Sequence, residues 1–270
     1  MTGSASDAHV TFDLVDDAIA RVTLNRPDRL GAYTPRMCAE LLDAVHRVRL
    51  DDGLRVLILT GVGRGFCTGG DVSPDAGFAD ALSHQIGRAR ELREDAHAVI
   101  TALYQLDKPV LCAVNGIAVN GGLAFALACD IRIVAASARM GDTSARAGLL
   151  PDEGGAWLFP RTMGYDNAFR MVTLSEIYDA ERSLELGLAT EVVVDEHLHS
   201  RTMEVARALA GGAPLVQRAV KFMMRRAMDN TLQVSLGDAQ QAVLWVGASA
   251  DAQEGKQAFL ERRPARFRGR

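Results

Sequence analysis

Residues 109–130, Pro109-Val-Leu-Cys-Ala-Val-Asn-Gly-Ile-Ala-Val-Asn-Gly-Gly-Leu-Ala-Phe-Ala-Leu-Ala-Cys-Asp130, restrict the fold more than any other stretch. Val110 to Val114 is apolar throughout, without the alternation of a half-wet strand, and so reads as a strand covered on both faces. Asn115-Gly116 breaks it, and Asn120-Gly121-Gly122 opens an apolar run of about two helical turns. A helix start leaves backbone N–H groups free and carries partial positive charge. Glycine there lets a substrate oxygen come close to the backbone. One reading is an oxyanion site; the other is a tight strand–helix turn that needs glycine only for packing.

A second stretch has the same build. Leu54 to Thr60 is another apolar strand, and it runs into Gly61-Val-Gly-Arg-Gly-Phe-Cys-Thr-Gly-Gly-Asp71. Two strand-plus-glycine units point to a repeated β/α unit. Two backbone donors from separate loops are what an oxyanion hole requires. Neither loop is a nucleotide cradle: GxxxxGK is absent, and the glycine spacing does not give GxGxxG with its downstream acid.

The 270 residues, 48% hydrophobic, suffice for one large domain or a domain with an appended helical part. A net charge of −4 gives nucleic acid no reason to bind. Cys38, Cys67, Cys112 and Cys129 form no CxxC pair and, with six scattered histidines, no zinc pattern, so no metal is expected. Free thiols fit a reducing cytoplasm. Residues 1–8 are small and polar, lack the apolar core of a signal peptide, and are expected to be disordered. No apolar run approaches the roughly 20 residues that span a bilayer, so no membrane partner is expected.

Along the chain, Val10, Phe12 and Leu14 alternate as in a half-buried strand, Asp16-Asp17 turns, and Ala18 to Leu24 returns. Thr34-Pro35 starts a helix with a buried stripe of Met37, Leu41, Val45 and Val48; His46 lies beside its wet face. Residues 96–106 read as a helix, 130–135 as a strand, and 140–146 as a polar loop. The pattern turns helical from about Thr162, and 191–194 is a last short strand. In the helical tail, Val216, Val220, Met223 and Ala227 form a stripe that is core or interface.

The chain resembles the crotonase superfamily, the enoyl-CoA hydratase/isomerase family. The matching pieces are Asn25-Arg-Pro-Asp-Arg-Leu-Gly-Ala-Tyr33, Gly65-Phe-Cys-Thr-Gly-Gly-Asp71, Lys108-Pro109, Asn115-Gly116, Gly121-Gly122, Cys129-Asp130, Gly148-Leu-Leu-Pro-Asp-Glu-Gly-Gly155, and Glu254-Gly-Lys-Gln-Ala-Phe-Leu-Glu-Arg-Arg263. They span nearly the whole chain in the family's order. The resemblance implies an α/β fold: a crotonase-like spiral of repeated ββα turns over residues 9–195, then a helical part over 196–270 that covers the pocket and packs trimers or dimers of trimers. It implies an acyl-CoA thioester substrate, coenzyme A being part of the substrate and no separate cofactor being needed. The backbone N–H groups of Gly70 and Gly121 would hold the thioester oxygen. Arg26, Arg29 and Arg64 would meet CoA, unless they are ordinary solvated arginines, as would Phe259 and Arg262 in the tail. Residues 72–87 would form a mobile flap; Asp75, His84, Glu91, Glu94 and His97, in or after it, could enter the site but read rather as surface.

The departures narrow the chemistry. Hydratases of this family use two glutamates, and here those positions hold Ala124 and Ser144. Alanine transfers no proton and unassisted serine is a poor acid or base. Asp152 falls where ring-type enoyl/epoxyphenylacetyl-CoA isomerases of the family have a catalytic aspartate. It could instead be a helix N-cap, with Glu153 competing for the catalytic role. Tyr33 could shape the acyl end, donate a hydrogen bond or merely pack; Trp157 could be pocket wall or core. The expected activity is an enoyl-CoA isomerase working through an enolate with one aspartate as acid/base. The alternatives are hydration, or C–C or thioester hydrolysis, through other carboxylates, and a catalytically silent CoA-ester binder.

Overall fold

The computed structural model describes residues 8–73, 76 and 85–270. The expected flap, with Asp75 and His84, lies mostly outside them. Two sheets carry the fold. The larger has the order β1-β2-β3-β5-β7-β10, with β1 Val10–Asp16, β2 Ile19–Leu24, β3 Val56–Gly61, β5 Val110–Val114, β7 Ile131–Ala135 and β10 Glu191–Val193. The β1–β2 pair is antiparallel and all later pairs are parallel. All five β5 residues are buried, as a parallel strand covered on both faces requires.

The smaller sheet, β4-β6-β8-β9, joins β4 Gly65–Cys67, β6 Ile117–Val119, β8 Arg139–Gly141 and β9 Ile177–Asp179. The strands β4, β6 and β8 each follow closely on a strand of the larger sheet. The chain therefore winds as repeated strand–strand–helix turns, one strand to each sheet, as the spiral predicts. The sequence reading anticipated none of these four strands. It placed β4 inside a glycine loop, and the polar loop at 140–146 is in fact the end of β8 followed by a 3-10 turn, Ser144–Ala147.

The helices position the site. Helix α1, Pro35–Leu50, starts as predicted: Thr34 accepts from the Met37 N–H and Pro35 fills the first turn. Its buried stripe packs on β1, β2 and helix α3, Ala96–Gln105, which follows α2, Gln85–Glu94. Buried Lys108 ties the end of α1 to the start of β5, donating to the carbonyls of Val48 at 2.7 Å and Asp51 at 2.6 Å. Helix α4, Gly121–Ala128, is buried at every residue and lies between α3 and α5, Gly155–Met163.

After α6, Tyr165–Leu174, and α7, Ala180–Glu185, helix α8, Leu198–Ala210, buries Leu198, Thr202, Met203 and Ala206 and packs along β2, β3, β5 and β7. Three helices follow: α9 Pro214–Ala227, α10 Leu232–Gly247 and α11 Ala250–Glu261. Asp130 anchors the first of them, accepting from Lys221 and Arg225 at 2.7 Å each while it also caps the Val110 N–H at 2.8 Å. The predicted stripe on α9 is not buried within the chain: Val216, Val220 and Ala227 are exposed. Phe222, Met224, Leu244 and Trp245 are exposed on α9 and α10 as well. No helix among the described residues is long and apolar enough to cross a membrane.

Candidate active site

The two glycine turns meet. Asn120, before α4, adopts φ 54° and ψ −127°, a conformation an asparagine enters only at a cost of order 1–3 kcal/mol. It is held there from both sides: its N–H donates to Gly141 O, and its side-chain oxygen accepts from the Thr143 N–H at 2.7 Å and hydroxyl at 3.2 Å. This hairpin-like bend sends the free N–H groups of the first α4 turn toward the β4 loop. There Gly69, at φ +91°, lies so close that a Cβ on it would stand 3.5 Å from the Gly121 nitrogen.

Tyr33 fixes the Gly70 peptide. Its N–H donates to Gly69 O and its carbonyl accepts from the Asp71 N–H, both at 2.9 Å, in a parallel bridge with Gly70. In such a bridge the Gly70 N–H itself points away from the Tyr33 segment. Gly70 and Gly121 thus come together from separate loops. Asp71 clamps the β4 loop further. Burial opposes its charge, but hydrogen bonds from Ser73 and the Arg26 ion pair, at 2.7 Å, win and hold its carboxyl at about 2.

The carboxylates come from the loop before α5. Glu153 is buried, and its Oε1 accepts a hydrogen bond from the Tyr33 hydroxyl at 3.0 Å. It stands over Gly121: a Cβ there would meet Glu153 Oε1 and Tyr33 Cε1 at 2.8 Å each. Burial first, and then the charge of Asp152, push the Glu153 carboxyl up to about 7, against the Tyr33 hydrogen bond. Asp152 is half-buried, and its charge acts on Glu153. It is not the helix N-cap. Gly154 takes that position at φ 83°, with no side-chain cap. Instead the Asp152 carbonyl accepts from His97 Nε2 on α3 at 2.6 Å, which places the ring proton on that nitrogen.

Ser144 and Ala124, at the two hydratase positions, are buried. The Ser144 N–H donates to Asp142 Oδ1 at 2.9 Å. Asp142 is fully buried; burial, and last Asp152, raise its carboxyl above the ordinary range. Sequence reasoning passed over Asp142 and counted His97 as surface. The only signal was their place just before the Gly-Leu-Leu-Pro run and on the helix facing it.

Other expected binding residues lie elsewhere. Arg26 is spent on Asp71 and on the Ala32 carbonyl, at 2.6 Å, so in this structure it shapes the β4 loop. Arg29 and Arg64 are exposed, and Phe259 and Arg262 are exposed on and just after α11, with Arg262 closing that helix at φ 54°. Trp157 meets Tyr104 edge-on at 5.3 Å, lies under Arg161, and lines a cavity of about 460 Å³ with Leu127, Lys221 and Arg225. That cavity opens at the C-terminal end of α4, whereas Gly121 is at its N-terminal end. No group of three or more His, Cys, Asp or Glu side chains among the described residues is arranged to hold a metal ion.

Comparison with known proteins agrees with this architecture. A family model described as enoyl-CoA hydratase/isomerase matches residues 15–270. The chain is 36% identical over 256 residues to a 1,2-epoxyphenylacetyl-CoA isomerase of Escherichia coli, covering 95% of this chain and 97% of the relative. It is 33% identical over 258 residues to an (E)-benzylidenesuccinyl-CoA hydratase of Thauera aromatica, covering 94% and 97%. Among solved structures, an enoyl-CoA hydratase from Bacillus anthracis superposes with a TM-score of 0.91 at 28% identity, over 97% of this chain and all of that one.

Proposed function

The chain belongs to the enoyl-CoA hydratase/isomerase family, and on that footing we propose that it is an isomerase that moves the double bond of an enoyl-CoA thioester through an enolate. The reading rests on one observation: the Glu153 carboxyl, with Asp152 next to it in the chain, stands against Gly121, while the two expected hydratase positions hold Ala124 and a Ser144 whose N–H is engaged with Asp142. The Gly70 and Gly121 N–H groups receive the thioester oxygen. Glu153, with Asp152 beside it, removes a proton at one carbon of the acyl group. Charge moves onto the oxygen, where preorganised donors lower its energy by a few kcal/mol each. The same carboxyl returns the proton at the other carbon, so atoms and charge balance without a further reactant. A carboxyl near 7 exchanges a proton in both directions at neutral pH, which an unperturbed one does poorly.

The names of two relatives, which carry phenylacetyl and benzylidene groups, support a ring-bearing acyl group. Hydration is the second reading, favoured by the presence of two adjacent carboxyls. The exposed apolar residues on α9 and α10 support assembly of several copies, as trimers or paired trimers.

The test is proton exchange at the acyl α- and γ-carbons in D₂O, followed by NMR across 2- and 3-enoyl-CoA thioesters that include ring-bearing ones. The expected result is exchange and double-bond migration that fall more than about 100-fold in Glu153→Gln and less in Asp152→Asn. If Asp152→Asn abolishes turnover and Glu153→Gln spares it, the roles are reversed. Water addition would establish hydration instead, and bound thioester without exchange would establish a silent binder.

A further inference from the structure

We propose that Tyr33 is a positioning residue for the acid/base: its hydroxyl holds Glu153 in the orientation that faces the thioester, and its backbone and ring tie that carboxyl to both oxyanion glycines. The inference deepens the reading above and rests on it. Tyr33 is 4% exposed, and one residue makes every link. Its main chain bridges Gly70. Its ring edge lies where a Cβ on Gly121 would stand 2.8 Å away, and its hydroxyl lies 3.4 Å from where a Cβ on Gly70 would stand. Phe125 of α4 supports the ring from the side, and the hydroxyl donates to Glu153 Oε1 at 3.0 Å. The hydroxyl stays protonated, since burial and the Glu153 charge both push it well above the ordinary tyrosine range. It therefore acts as a fixed donor and never as the proton carrier.

The surroundings of Glu153 show what this donor opposes. Asp152 precedes Glu153 on the same loop and opposes its charge, and Asp142, after β8, is close enough to Asp152 for the two to interact. The buried Cys67 thiol lies on the β4 side, and His97 of α3 is spent on the Asp152 carbonyl. Burial and Asp152 favour protonated Glu153; the Tyr33 hydroxyl and the Glu153 N–H favour the carboxylate that must accept the substrate proton. Removing the hydroxyl both frees the carboxyl to turn and leaves less of it charged at neutral pH.

Tyr33→Phe keeps the ring on Phe125 and removes only the donor. We expect kcat for α-proton exchange to fall roughly 10-fold or more, KM for the thioester to change little, and the acidic limb of kcat/KM to move to higher pH. In a Glu153→Gln background the same substitution should have no further effect. Replacing the four tyrosines with 3-fluorotyrosine, a stronger donor of nearly the same shape, should move the limb the other way and serves if Tyr33→Phe does not fold. An unmoved limb in both proteins, or an undiminished effect of Tyr33→Phe in the Glu153→Gln background, overturns the role of Tyr33. Full activity of Glu153→Gln alone overturns the reading of Glu153 instead, so the two failures are distinguishable.

Discussion

The two glycine turns at the site are held to glycine for opposite reasons. In the α4 turn the reason is space. A Cβ on Gly122 would run into the Cys67 carbonyl, and one on Gly121 into Glu153 and Tyr33. In the β4 turn the reason is conformation: Gly69 sits at φ +91°, while a methyl on Gly70 would meet the Tyr33 ring at 3.4 Å, an ordinary contact. The packing reading of the Asn-Gly-Gly sequence therefore holds at Gly122, where a Cβ would meet the Cys67 backbone, whereas at Gly121 the obstacles are the side chains of Glu153 and Tyr33. Gly122 lets the two turns touch, and Gly121 leaves room for the Glu153 carboxyl.

This contrast can be broken in order of effect. Gly122→Ala should cost about 3 kcal/mol or more of stability, because the obstacle is backbone; an unchanged midpoint in chemical denaturation would show that the turns can part cheaply. Gly121→Ala should fold, because its obstacles are side chains that can swing aside. It should lose about 100-fold in kcat as Glu153 is displaced, with acyl-CoA binding by calorimetry largely kept.

Glu153→Gln sharpens the comparison from the other side. The Glu153 carboxyl is raised from 4.5 to about 7 in the folded chain, so the folded state binds its proton more tightly than the unfolded one. Its contribution to stability is fully present below about 4.5 and is lost as pH rises through about 7. The variant should thus match wild type near pH 4.5 and exceed it by about 3 kcal/mol at pH 8, seen as a higher Tm. The smallest effect belongs to Gly70→Ala: less than about 1 kcal/mol in stability and only a few-fold in kcat. A loss as large as that of Gly121→Ala would mean that both turns are limited by space.

Much of this was legible in local sequence. The long strands of the larger sheet are apolar runs, both glycine turns interrupt such runs, and Asp152 and Glu153 lie in one short motif. What was hidden comes from pairs far apart in the chain. Strands of three residues, such as β4 and β8, have no room to display a period. The partner of Tyr33 is 120 residues away, and His97 meets the Asp152 carbonyl across 55. Asp142 looked like a loop residue because nothing local reveals that a second sheet buries it. The Asp152 N-cap reading failed because Gly154 takes the helix start in a left-handed turn, so neither preceding carboxyl caps the helix.

The contact between Cys67 and Gly122 also gives the protein a built-in clock. Cys67 is fully buried, and burial pushes its thiol up to about 12, so it is inert while the turns stay together. A thiol reagent can modify it only after that layer opens, so the labelling rate in native buffer counts openings that no static picture contains. Set beside the rate at Cys112, in the middle of the buried strand β5, it tells whether the site breathes on its own or only when the whole sheet comes apart.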